Sequence, residues 1–459
     1  MHLPAVVCYF SKLTIEEPLM KFKPHIPILP YPGKQAKRIL EGLSASAIDD
    51  DSTLARNVRK IVNSIRAEGD AALFDCIKAY DGRATARTTL RAKPAYIRRQ
   101  AAKVSPDLEK TIKASARRIK EFHRLQQPAS FTFAAREGKL TQSVTPLSSA
   151  GVYIPGGYTV YPSSVLMNVI PARIAGVARI AAVTPPRNEL DPGIACALQL
   201  LDVDEVYLMG GAHAIAALAY GTQSVPSVDK IVGPGNAFVA CAKKQVFGRV
   251  DIDSIAGPSE VVVVVDTSVK PEWVAHDLLA QAEHGSGDET ALCITESQSV
   301  AHAIQAALCT EIERSPVKDI FGRLSENALA IFVTPDRRTS LDLVNLCAPE
   351  HLQVMTRTCR SDVKHITNAG AIFLGAHTPV ALGDYYIGTN HVLPTGRAAR
   401  YASALGVEDF VKRTSIARLS ATELKRAAPH VSVFARAEKF VHHAMSVERR
   451  AGIDSPDQP

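Results

Sequence analysis

Residues 260–285 read EVVVVVDTSVKPEWVAHDLLAQAEHG, a β-branched run followed closely by a helical pattern. In the second half Pro271 suits a first helical turn, and Val274, Leu278 and Leu279 recur at helical spacing. The segment is therefore an amphipathic helix, stopped by Gly285, Ser286 and Gly287. A strand that leads into such a helix, and then into another strand at 291–295, is the repeating unit of a parallel α/β sheet.

Outward from this unit the alternation continues through 329–333, 352–355 and 371–374. An earlier set runs from about Gly151 through 179–183, 205–208 and 230–232, between Ala-rich helical segments. Residues 50–125 are charged and helical in pattern, as over 54–67 and 106–125. After Leu405 the pattern turns to short amphipathic helices and ends in a polar tail at 453–459. The expected fold is α/β: two Rossmann-like, incompletely doubly wound α/β domains with a helical N-terminal region and a small helical C-terminal segment. The expected boundaries are an N-terminal arm at 1–49, one α/β domain of 50–150 plus 258–404, a second of 151–257, and a small C-terminal domain at 405–459.

The 459 residues, 46% hydrophobic and 22% charged, suit a globular protein with two or three cores. No apolar run approaches the roughly 20 residues of a membrane span. The opening MHLPAVVCYF lacks the charged start and small-residue cleavage site of a secretory signal; it reads as a spare extension, and Met20 is an equally good start. The eight cysteines have no CxxC spacing, which excludes a cysteine-rich zinc site and fits a reducing cytoplasm. The 53 basic and 46 acidic side chains are interspersed and there is only one Trp, so the net charge of +7 gives no reason to expect a nucleic-acid partner.

Several segments can carry chemistry. Gln281 and His284 sit three apart, so their side chains leave one helix face and can share an ion, with Asp277 one turn earlier in support; alternatively His284 is a solvated histidine at a helix C-terminus. Glycine turns occur at Gly156 and Gly157, at Gly210 and Gly211, and in GPGN (233–236). They offer close backbone approach to a dinucleotide, or, with no GxGxxG present, are simply turns. In APEHL (348–352) Glu350 and His351 are adjacent proton-moving groups that can act together if Pro349 supplies a turn; otherwise they are a solvated loop pair. In GDYYIGTNHVLPT (383–395) Asp384 is an oxygen ligand or a helix N-cap, and His391 a nitrogen donor or a satisfied loop histidine. Glu438, His442 and His443 lie in ARAEKFVHHAMSVERR, where one ideal helix would point Glu438 and His443 about 140° apart. They share a site only if a helix starts or distorts between them; otherwise they form a solvated face.

Together, GVYIPGGYTVYPSSVLMN (151–168), GPGN, AGPSE (256–260), DLLAQAEHG (277–285), APEHL, GDYYIGTNHVLPT and AEKFVHHA (437–444) stand in the order and spacing of the histidinol dehydrogenase family, which the chain resembles from about residue 50 onward. The resemblance implies zinc- and NAD-dependent oxidation of L-histidinol to L-histidine through the aldehyde, in the last steps of histidine biosynthesis. It implies Gln281, His284, Asp384 and His443 as ligands of one zinc per subunit, with the substrate's imidazole and amine joining them. His351 would take the alcohol proton, and Glu350 would activate water for attack on the aldehyde, whose hydration makes a second alcohol. Substrate contacts would be Ser259, His391 and Glu438 beside the four metal ligands and His351; cofactor contacts would be Tyr153, His213 and Asn236.

By the same resemblance, residues 151–257 would hold NAD, and 50–150 plus 258–404 would carry the metal and acid/base residues. The C-terminal segment would cross to a partner in an obligate homodimer with shared active sites. Two positions depart from the family pattern. His213 stands where Gln is common, which bears on the strength of NAD binding, and Cys347 stands where a bulkier residue is common, which bears on packing near the base. The competing readings are a related zinc enzyme for another small alcohol, such as a sulfonated diol, and a catalytically silent nucleotide- or zinc-binding relative. The YPSSVLMN segment and Ser259 favour histidinol over the first. The joint presence of ligand and acid/base residues disfavours the second.

Overall fold

The computed structural model describes residues 25–44, 50–82, 85–135, 138–156, 160–185, 188–326 and 328–453. The apolar opening, Met20, Gly157 and most of the polar tail lie outside them. Strands follow the chain as β1 (Ile28–Pro30), β2 (Phe131–Ala135), β3 (Gly138–Pro146), β4 (Ser149–Tyr153), β5 (Arg179–Val183), β6 (Glu205–Tyr207), β7 (Lys230–Val232), β8 (Asp251–Ile252), β9 (Glu260–Val265), β10 (Thr290–Thr295), β11 (Leu329–Val333), β12 (His351–Met355), β13 (Ala371–Leu374) and β14 (Val411–Arg418). The chain divides into two compact units, Met1–Ser46 with Pro258–Val380 and Ala47–Gly257 with Ala381–Pro459.

The first unit is built on a parallel sheet in the order β1-β11-β10-β9-β12-β13. Its centre is the run EVVVVV, every residue of which is buried. A parallel strand covered on both faces has no solvent side to mark with polar residues, which is why the run shows no alternation. Val262, Val264, Leu352 and Val354 pack in one core with helices Lys34–Ser44 and Arg337–Cys347, and the buried Cys347 belongs to it. The alternate positions, including His351 and Gln353, face the opposite side, toward helix Pro271–Ala282.

The second unit holds a parallel sheet in the order β6-β5-β4-β7-β8. Without β1, which adds an edge, the first sheet has the same order: third, second, first, fourth, fifth. Both are therefore incomplete doubly wound sheets of the expected class. Residues 50–150 belong with this sheet, in contrast to the grouping with 258–404 expected from the sequence. Helices Thr53–Glu68 and Asp70–Tyr80 bury Val58, Ile65, Leu73 and Ile77 in one core with helix Gly211–Tyr220. Burial of those apolar faces decides their place.

A second correction concerns the C-terminal segment. Residues 411–418 form a strand, antiparallel to β3 from Val411↔Pro146 to Arg418↔Lys139, with β2 on the other edge of β3. The free edge of β3 outweighs the segment's own weak preference. Helices Ala421–Ala437 and Val441–Ala451 follow, tied by a salt bridge from Arg436 Nη2 to Glu448 Oε2 at 2.9 Å. Among the described residues no helix is long and apolar enough to cross a membrane, and no disulfide forms.

Candidate active site

Helix Pro271–Ala282 runs back across the sheet after β9, so its C-terminal end lies at the amino edge of the strands. The Gln353 amide faces Asp277 on this helix. From that level Gln281 is one turn, about 6 Å, nearer the amino edge, and His351, two residues back along β12, is about 6.6 Å nearer. Helix and strand rises thus bring Gln281 level with His351. Burial pushes the Asp277 carboxyl up to about 6, with the Gln353 amide and His276 offsetting part of the effect.

Glu350 and His351 are adjacent yet act on one neighbourhood because the chain turns before them. Ala348 ends its helix in the left-handed conformation, φ 46°, Pro349 follows, and only at His351 does the strand begin. The Glu260 backbone N–H donates to Glu350 Oε2 at 2.9 Å, and the Glu350 N–H donates to Glu260 Oε2 at 3.3 Å. His351 Nδ1 lies 3.1 Å from the Glu260 carbonyl. Donation there places the proton on Nδ1 and leaves Nε2 as the basic nitrogen. The ring also stacks on Phe373, with centroids 6.3 Å apart. Glu260 is therefore a residue that sequence reasoning missed, although it closes the AGPSE motif; a carboxylate opening an otherwise all-valine strand was the available signal. Ser259 precedes it, its carbonyl accepting from Thr290 N–H at 3.0 Å.

His284 is exposed at the end of its helix, and its Nδ1 donates to the Gln281 carbonyl at 2.8 Å. That bond places a proton on Nδ1 and leaves Nε2 as the nitrogen able to ligate a metal. The half-site of Gln281 and His284 thus fits zinc in donor type and tautomer. The other two candidate ligands lie in the second unit. Asp384 sits inside the short helix Val380–Tyr385, so it is not that helix's N-cap, and its Oδ1 is 3.8 Å from His391 Nδ1. Glu438 caps the end of helix Ala421–Ala437, Lys439 turns the chain at φ 65°, and a new helix starts at Val441. The break required between Glu438 and His443 is present. His443 is exposed and stacks on Phe440 at 4.9 Å. Among the described residues of one chain, no three His, Cys, Asp or Glu side chains are grouped to hold a metal.

The carboxyl edges of the two sheets differ. In the first unit a network occupies the edge: Arg337 pairs with Glu296 at 3.0 Å and with Asp362 at 2.9 Å, and Ser340 and Thr356 hydroxyls donate to those carboxylates. In the second unit the same edge carries the glycine turns, Gly156 after β4, Gly210 and Gly211 after β6, and Gly233 after β7. Asn236 Oδ1 caps helix Ala237–Val246 by accepting from Phe238 and Val239 N–H, which leaves its exposed Nδ2 as a donor for a ligand. Tyr153 is buried, its hydroxyl accepts from Gly211 N–H at 3.1 Å, and burial pushes its pKa up to about 12, so it stays protonated. His213 is 1% exposed. Its Nε2 lies 3.3 Å from Asp81 Oδ2 and its ring stacks on Tyr80. Its nearest polar partner is thus inside the fold. An open cavity of about 420 Å³, lined by Ser227, Asp229, Phe247, Arg249 and Asp251 among others, lies at the opposite, amino edge and gathers none of the candidate residues.

Comparison with known proteins finds relatives along nearly the whole chain. The histidinol dehydrogenase family pattern matches residues 44–451. A histidinol dehydrogenase from Rhizobium meliloti (strain 1021) is 44% identical over 398 residues, covering 86% of this chain and 92% of the relative. One from Gluconobacter oxydans (strain 621H) is 44% identical over 410 residues, covering 89% and 95%. The crystal structure of histidinol dehydrogenase from Elizabethkingia anophelis superposes with a TM-score of 0.86 at 30% identity, over 93% of this chain and 98% of that one.

Proposed function

The chain belongs to the histidinol dehydrogenase family of oxidoreductases, and on that premise we propose that it oxidises L-histidinol to L-histidine in two NAD-linked steps, as the end of histidine biosynthesis, with one zinc per subunit. One observation carries the proposal: the proton-moving pair Glu350 and His351 and the half-site Gln281 and His284 share the amino edge of one sheet. The ligand set would be Gln281, His284, Asp384 and, from the partner subunit of a homodimer, the residue equivalent to His443. When bound, zinc supplies a charge that orients and polarises the amino alcohol. Tyr153 and Asn236 would hold NAD, which would supply the hydride acceptor.

The chain's own residues then move protons. His351 Nε2, basic because Nδ1–H is committed to the Glu260 carbonyl, takes the alcohol proton in the first oxidation. The Glu350 carboxylate, fixed by the Glu260 amide, takes a proton from water as that water attacks the aldehyde. The former aldehyde oxygen takes the proton back from His351 as the diol forms, so a hydroxyl of that diol meets a basic Nε2 again and one base serves both oxidations. Ser259, His391 and Glu438 bind and orient the substrate.

A homodimer gains support from exposed apolar side chains on the three-stranded sheet and the C-terminal helices: Phe131, Phe133, Ile416, Val433 and Phe434. Cysteine usage favours a cytoplasmic setting. The test is to load the protein with zinc and follow NADH formed per L-histidinol consumed. Two NADH with histidine as product is the expected result. Turnover of a sulfonated diol instead would redirect the substrate, and no turnover by zinc-loaded protein would sink the reading.

A further inference from the structure

The turn Gly233-Pro234-Gly235-Asn236 carries the candidate cofactor contact Asn236, and its shape is unusual. Gly233 adopts φ 109°, and a Cβ there would come within 2.1 Å of the Tyr153 carbonyl oxygen, so only glycine fits and the turn lies against the other candidate contact. Turns of this kind need something to hold them. Here the holder is an ion pair inside the fold. Lys243, two turns into helix Ala237–Val246, is 1% exposed, and its Nζ donates to the Gly233 carbonyl at 3.1 Å and to Asp253 Oδ1. The Asp253 side chain is 4% exposed, and its Oδ2 accepts from the Gly233 N–H at 2.7 Å. One buried pair thus binds both backbone groups of one glycine.

A lysine ammonium beneath a helix N-terminus opposes the helix dipole and loses its hydration, so the pair is an expensive way to brace a loop. Ordinary turn chemistry would hold a loop that needed only to connect. We infer that Lys243 and Asp253 are positioning residues of the cofactor site: too buried to touch a cofactor, they fix the turn and with it the Nδ2 donor of Asn236 and the seat of Tyr153. The inference rests on the NAD-linked reading above. Wild-type protein that forms no NADH would defeat that reading, whereas the variants below test the inference on protein that turns over.

Lys243→Met leaves a buried aspartate without its cation; the double variant Lys243→Met/Asp253→Asn leaves no orphan charge and is the arm chosen to fold. In zinc-loaded protein, KM for NAD should rise at least about tenfold in both, while zinc content and KM for histidinol stay within about twofold. Lys243→Arg, which keeps the charge, should recover part of the NAD effect. A purely structural role would lower stability and leave KM for NAD in the folded protein unchanged. That outcome in the double variant would overturn the inference. Should neither variant fold, hydrogen exchange on wild-type protein without NAD decides. The Gly233 amide, which donates to Asp253, should be protected like the following helix, and fast exchange there would overturn the inference as well.

Discussion

Replacing Asp277 with Asn in zinc-free protein isolates the cost of burying a carboxylate beside the half-site. Its pKa in the fold is about 6 against an ordinary 3.8. The folded form therefore keeps its proton at pH values where the unfolded chain has lost it, and between those two values the native state binds more protons. Stability must fall as pH rises from about 4 to 6, and above that the full penalty applies. A difference of about two units corresponds to up to about 3 kcal/mol. Asn keeps the shape and its polar partner while removing the charge. The variant should match wild type near pH 3.5 and exceed it by about 1–3 kcal/mol near pH 7.5, measured by urea titration of metal-free protein. An advantage independent of pH, or a loss at pH 7.5, would refute the reasoning.

Further expectations concern the site itself. His351→Asn should retain zinc and lose about 10²–10⁴ in kcat; near-normal turnover would show that another group is the base. Refolding an equal mixture of His351→Asn and His443→Ala subunits should restore about a quarter of wild-type activity, because half the dimers then hold one intact shared site. Two inactive parents that stay inactive when mixed, with mixed dimers demonstrated, would exclude sharing. Gly233→Ala should destabilise by more than about 3 kcal/mol because of the Tyr153 carbonyl and the positive φ; wild-type denaturation behaviour would contradict that contact.

Much of the fold was legible because strands buried on both faces are β-branched runs that end abruptly. The expected strands at 179–183, 230–232, 329–333 and 371–374 coincide with β5, β7, β11 and β13. Pairing was not legible, since it is settled by partners far along the chain. β1 pairs with β11, and β14 with β3, across hundreds of residues, and neither segment has a strong pattern of its own. In the site, Gln281 and His284 are neighbours as their three-residue spacing suggested, although the helix ends at Ala282 and His284 lies just past it; the break after Glu438 was expected only because the family resemblance put Glu438 and His443 in one site. Glu260 was hidden because its role depends on lying beside β12. The resemblance placed His213 near the cofactor, but nothing in GGAHA reveals its neighbour Asp81, which comes from the end of an earlier helix.

The pairing of Ile28 with Ile331 sets a timetable for synthesis. At about 5–20 residues per second, the ribosome delivers β11 about 15–60 s after β1. During that interval β1 has no sheet to join, and β3 waits nearly as long for β14. A nascent chain with two unfilled strand edges is exposed to chaperones and to its neighbours on the polysome, so production should respond to translation speed and temperature more than the finished protein's stability would suggest.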